Sequence, residues 1–165
     1  MLCNILKFSL LSLLATLSLS CSCLRSTFEQ GVCRSSTIYV GTVLARTDNC
    51  PGTCDPFEDQ RNGKITYIVK VTARFLGAPA EDNIIYVQTL VNSALCGTIL
   101  NVGARYLFTL GNVRVNRSSC PRESFDVSLC GGAQLWSRVT RPQRRFLSAV
   151  RRTNKRVCRT VPPLF

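Results

Sequence analysis

Histidine is absent from this chain. Its absence removes the usual general base, so Ser–His and Cys–His nucleophilic catalysis is unavailable. Acidic residues are scarce, 9 against 21 lysines and arginines. No paired Asp/Glu motif stands out among them, so no enzyme is expected. Long apolar runs are missing as well. A bilayer-spanning helix needs about 20 predominantly apolar residues, and no segment after the N-terminus approaches that length. The chain also shows no internal repeat and no low-complexity linker.

What is present begins with a leader. Lys7 supplies a positive start, Phe8 to Leu19 is apolar apart from Ser and Thr, and Ser18 and Ser20 are small. This order is that of a secretory signal peptide, Met1–Ser20, cut after Ser20. Residues 21–165 are then long enough for one compact domain. Of the ten cysteines, Cys3 leaves with the leader. The remaining odd number, in an exported chain without histidine, indicates a disulfide framework rather than a metal site. Cys50-Pro-Gly-Thr-Cys54 is the only pair near ligand spacing, and it has no second half. The formal net charge of +12, mostly arginine, attracts polyanions, which outside the cell means sulfated glycosaminoglycans.

Ser26-Thr-Phe-Glu29 has the form of a capping box and predicts a short helix before Cys33. Thr37–Arg46 is rich in β-branched residues and reads as a strand. Ile65, Tyr67, Val69, Val71, Ala73 and Phe75 alternate with more polar neighbours, the period of a strand with one buried face. Asn83–Leu90, Arg105–Val115 and Phe125–Cys130 make five strands. A second capping box, Thr140–Gln143 with Pro142 in the first turn, opens a helix. That helix turns Phe146, Leu147 and Val150 inward and Arg144, Arg145, Arg151 and Arg152 outward. Trp136 is expected in the core. Pattern alone supports a small secreted β-barrel or sandwich.

Three anchors add a resemblance. Cys21-Ser22-Cys23 is followed ten residues later by Cys33. Ser93-Ala94-Leu95-Cys96-Gly97 resembles a Ser-Val-Cys-Gly segment. Cys130, Trp136 and Gln143-Arg144-Arg145 keep the spacing of a Cys-x5-Trp-x6-Gln-Arg-Arg stretch. Together they resemble the N-terminal, netrin-like domain of the tissue inhibitors of metalloproteinases, over essentially the whole mature chain. The chain departs from that pattern at Ile38-Tyr39-Val40-Gly41-Thr42, which lacks a basic pair, and at Leu24-Arg25-Ser26, which lacks prolines.

The resemblance implies an OB-fold-like five-stranded barrel with flanking helices. It also implies the disulfides Cys21–Cys96, Cys23–Cys130 and Cys33–Cys158, each closing a long loop and stabilising by roughly 2–4 kcal/mol. Because the chain ends shortly after Cys158, it reads as a single-domain inhibitor spanning residues 21–165. The implied activity is inhibition of secreted zinc metalloproteinases of the matrix type, with no cofactor of its own. The freed amine and the carbonyl of Cys21 would chelate the target's zinc, displacing the water that an open catalytic site normally holds. Ser22 would face the pocket below that zinc and Leu24 would follow the cleft. Cys23 would staple the N-terminus, and Ser93, Ala94 and Leu95 would form a second contact strip. The alternative is a non-inhibitory secreted netrin-like module that binds glycosaminoglycan or an extracellular partner.

The remaining features stay open at the level of sequence. Cys50, Cys54 and Cys120 allow a Cys50–Cys54 bridge, a bridge from either to Cys120, or a covalent dimer through Cys120 in place of a monomer. Arg138–Arg159 reads as a solvated helix face or as a heparan sulfate site in the extracellular matrix. Nucleic acid is not expected as the partner of an exported protein. Asn116-Arg-Ser118 is a glycosylation sequon.

Overall fold

A computed structural model describes residue 23 and residues 26–47, 64–90, 96–111 and 124–162. The first element, α1 (Phe28–Arg34), is capped one residue later than the sequence suggests. The Thr27 hydroxyl accepts from Gln30 N at 3.2 Å, and Gln30 Oε1 accepts from Thr27 N at 2.9 Å. Overlapping Ser-x-x-Glu and Thr-x-x-Gln frames offer the same chemistry, so pattern could not separate them. The second helix, α2 (Arg141–Thr153), has the expected box between Thr140 and Gln143, with a proline in its first turn. It ends at Asn154 in the left-handed region, φ 44°, where Lys155 N closes on Val150 O.

Between the helices lies a curled sheet of six strands: β1 (Thr37–Thr47), β2 (Lys64–Leu76), β3 (Ile84–Leu90), β4 (Arg105–Leu110), β5 (Ser124–Asp126) and β6 (Ala133–Leu135). Their order is β5-β3-β2-β1-β4-β6. Only the β3–β5 pair is parallel. This mainly β half-barrel with two helices and disulfides is consistent with the OB-like expectation, with one strand more than the five read from the sequence. The extra strand, β6, is short and only half-buried, so it carries no alternation to read. Three expected boundaries also move. Asn83 takes φ 56° in a 3-10 turn ahead of β3, β4 stops at Leu110, and the last expected strand stops at Asp126.

Curling is visible in one aromatic contact. Flat, three strand spacings would hold β1 and β5 about 14 Å apart. The rings of Tyr39 and Phe125 instead meet edge to face at 6.4 Å across the interior. Two cores result. Tyr39, Val43, Tyr67, Val69, Ile85, Val87 and Phe108 fill the inside of the curl. Ile38, Val40 and Leu107 pack outside it against Val32 of α1 and Leu147 and Val150 of α2. Each fully buried large aliphatic or aromatic side chain contributes about 1.5–3 kcal/mol.

β2 serves both cores, which corrects the single buried face expected of it. Ile65, Tyr67, Val69 and Val71 point inward, whereas Ala73, Phe75 and Leu76 join the outer core. The cause is a bulge. Val40 pairs with Ala73 but Gly41 pairs with Val71, leaving Thr72 as an extra residue. The Thr72 hydroxyl donates to Val40 O at 3.1 Å. One inserted residue reverses the facing of everything beyond it. A second shift, between Ile38 and Tyr39, skips Phe75 and places Phe75 and Leu76 together on the outer side. Gly41 belongs to the same device. A β-carbon there would lie 2.6 Å from Val69 Cγ1 and 2.9 Å from Lys70 O.

Candidate functional site

The residues expected to touch a protease divide sharply. Cys21, Ser22, Leu24, Ser93, Ala94 and Leu95 lie outside the described residues, as do Cys50, Cys54, Cys120, Asn116 and the leader. Cys23 and Cys96, which flank the two expected contact strips, are described.

Both flanks are tied to one turn. Val127 N donates to Gln88 O at 2.8 Å, which starts the turn at the end of β3. Ser128 and Gly131 then exchange two backbone hydrogen bonds of 3.1 Å, and the Ser128 hydroxyl accepts from Cys130 N at 3.2 Å. Gly131 and Gly132 take φ 147° and 97°, a region that residues with a side chain rarely enter. From this turn, Cys130 is bonded to Cys23, with Cα atoms 5.1 Å apart. Its neighbour Leu129 donates its N–H to Cys96 O at 2.7 Å. Two adjacent residues therefore hold Cys23 and Cys96.

Cys96 is fixed from several directions. It is disulfide-bonded, with its partner outside the described residues. Its φ of 63° is left-handed, a conformation costing a residue with a β-carbon roughly 1–2 kcal/mol. The chain beyond it has no regular structure but is pinned by side chains from three strands. The Thr89 hydroxyl accepts from Thr98 N at 2.8 Å, the Tyr67 hydroxyl from Leu100 N at 3.2 Å, and the Tyr106 hydroxyl from Asn101 N at 3.0 Å. A second bridge, Cys33–Cys158, with Cα atoms 5.5 Å apart, ties α1 to the C-terminal 3-10 turn Arg156–Thr160. It closes a loop over a sequence separation of 125 residues, which the chain-entropy model values at roughly 4–5 kcal/mol.

Sequence reasoning missed the turn itself. It assigned Phe125–Cys130 to a strand, yet the pair of glycines after Cys130 was the available signal of a reversal. It also missed Leu129, a leucine 56% exposed at the junction of the two flanks. Beside the turn opens a cavity of about 450 Å³ lined by Thr89 and Leu90 of β3, Thr109 of β4, Val127 and Gly132. Because β5 and β6 are the two edges of the sheet, the turn joining them and this cavity mark the seam of the half-barrel.

Trp136 packs at the margin of the outer core rather than in its interior. It is half-buried, tilted against Phe75 at 6.4 Å, and approached by two cations, with Arg144 Cζ 4.6 Å and Arg105 Cζ 5.6 Å from its ring centre. Arg144 also donates to Val139 O at 3.0 Å and Trp136 O at 3.1 Å. Although exposed, Arg144 is thus a structural clamp between α2 and the 3-10 turn Trp136–Arg138, whereas Arg145 makes no such contact.

Among the described residues there is no cluster of histidine, cysteine and carboxylate side chains able to hold a metal, and no helix is long and apolar enough to cross a membrane. A comparison with curated proteins finds no match. The family model described as tissue inhibitor of metalloproteinase matches residues 19–164, nearly the whole chain and every residue described above. On that match, the chain belongs to the tissue inhibitor of metalloproteinase family.

Proposed function

We propose that this protein blocks its target through the mature N-terminus, with the amine and carbonyl of Cys21 chelating the catalytic zinc. Membership of the family makes the chain an inhibitor of metalloproteinases of the matrix type, not an enzyme. It also brings the family's mode of action, on the zinc of the target with no cofactor of its own, and an extracellular setting in keeping with the disulfides. The finer reading assigns Met1–Ser20 as a leader cut after Ser20, freeing the amine of Cys21 at the head of a single domain, residues 21–165. Ser22 enters the pocket below the zinc, Leu24 follows the cleft, and Ser93, Ala94 and Leu95 run beside them, brought there by a Cys21–Cys96 bridge.

The observation that supports this reading is the shared anchorage of Cys23 and Cys96 on Leu129 and Cys130. A segment ordered on folding need not be ordered on binding, so its contacts convert more fully into affinity. A terminal amine with a reference pKa near 7.7–8.0 also keeps a useful neutral fraction, able to ligate, at physiological pH. The test adds one alanine before Cys21, or acetylates its amine. Inhibition of a matrix metalloproteinase panel should vanish while thermal melting stays that of the parent. Equal inhibition by the extended protein would overturn the chelation mechanism. Absence of inhibition in the parent would favour a non-inhibitory binding module.

The basic C-terminal region, Arg138–Arg159, takes heparan sulfate and thereby holds the inhibitor in the matrix. Asn116 carries the glycan of its sequon, which a mass shift on glycosidase treatment would reveal.

A further inference from the structure

The cations of this molecule are segregated. From Val127 to Phe165 the chain has nine lysines and arginines and no acidic residue. On α2, Leu147 and Val150 are fully buried against the sheet, so Arg141, Arg145 and Arg152 fall on the opposite, exposed crest. They span about 16 Å at 1.5 Å per residue. Arg151 stands on the flank of that crest, beside an arginine from elsewhere in the chain. With Arg74 of β2, Gly77 and Asn154 it lines a polar cavity of about 210 Å³. The Arg74 guanidinium is aimed by its bond to Gly77 O at 3.1 Å. Among the described residues, Arg74, Arg145, Arg151 and Arg152 have no acidic partner.

Resting on the heparan sulfate reading above, we propose that Arg74 and Arg151 form a discrete subsite for one sulfo group. Arg145 and Arg152 extend it into a track along a sulfated polysaccharide. Guanidinium forks match tetrahedral oxyanions with paired hydrogen bonds, which lysines cannot do. The other polyanions fit this face less well. The crest offers no apolar side chain to enter a bilayer, since Phe146 packs against the sheet. It offers no exposed aromatic on which bases would stack. Its position matters too. In the order β5-β3-β2-β1-β4-β6, β2 lies across the curl from the seam that carries Cys130. The first turn of α2, at Gln143, adjoins the seam glycines, but Arg151 lies at its far end. A chain held at Arg74 and Arg151 therefore leaves the inhibitory edge open.

The experiment measures binding of a heparin dodecasaccharide to the full mature protein as a function of salt, alongside matrix metalloproteinase inhibition. Arg74→Ala/Arg151→Ala and Arg145→Ala/Arg152→Ala should each weaken binding by about tenfold at physiological ionic strength and lower the salt slope by roughly one per arginine removed. Arg74→Lys/Arg151→Lys, which keeps the charge, should still lose affinity. Melting and inhibition should be unchanged in all three, and the dodecasaccharide-bound protein should inhibit as well as the free one. If the Arg74/Arg151 variant binds like the parent while the Arg145/Arg152 variant weakens, the subsite is wrong and the heparan sulfate reading stands. If the parent ignores heparin, both fall. Equal binding of phosphatidylserine vesicles or single-stranded DNA at the same salt would reduce the face to unspecific charge and overturn the proposal.

Discussion

The seam and the arginine face of this half-barrel are built by different means. At the seam, a disulfide and a set of backbone hydrogen bonds hold the chain where it has almost no regular structure. On the outer face of the sheet, α2 is held by apolar packing of Leu147 and Val150 and presents arginines that have no acidic partner among the described residues. The first arrangement fixes backbone atoms, which a zinc chelate requires. The second leaves long side chains free to adapt, which suits a polymer of variable sulfation. Positional precision and adaptability are thus assigned to different parts of one sheet, its joined edges and its outer face.

The comparison can be broken from the seam side first. Replacing both cysteines of the bridge, Cys23→Ser with Cys130→Ser, should abolish most inhibition and reduce stability by about 2–4 kcal/mol. Heparin binding should survive at temperatures where the domain remains folded. Inhibition assays beside urea denaturation check this, and intact inhibition would mean that the turn does not position the N-terminus. A smaller effect is expected at Gly41, which lies beneath both faces. Gly41→Ala forces a β-carbon against Val69 and the Lys70 carbonyl and should cost about 1–3 kcal/mol. Below the melting transition it should alter neither binding activity, as denaturation and both assays would show. The smallest effect separates two neighbouring arginines. Arg144→Ala removes the stack on Trp136 and two hydrogen bonds and should destabilise by about 1 kcal/mol. Arg145→Ala should leave stability within about 0.5 kcal/mol. Thermal melting of the pair decides whether exposure alone marks a cation as functional.

Local chemistry was legible in the sequence where it acts over a few residues. The Thr140–Gln143 cap, the inward set of Leu147 and Val150, and the first half of β2 all follow from spacing. Features that depend on a partner strand were not legible. Alternation in β2 continues to Phe75 in the sequence, but Thr72 bulges out against Val40, so the same parity changes sides. β6 has no pattern of its own and exists because Tyr106, Leu107 and Phe108 offer it an edge. Trp136 was expected in the core and does pack at its margin, but its second role, as a cation platform, comes from Arg105 and Arg144 of other elements. At the site, the cysteines identified the family pattern, yet the reversal at Ser128–Gly131 that gathers their segments was hidden behind residues that resemble a strand.

That reversal has a consequence for how such an inhibitor can diversify. Because neighbouring residues of one turn hold Cys23 and Cys96, which adjoin the two proposed contact segments, the turn would be their common fulcrum. Any change in its backbone displaces the two segments together and leaves their mutual spacing nearly constant. Selectivity among targets is then free to vary through the side chains mounted on those segments, while the lever that presents them is inherited as a unit.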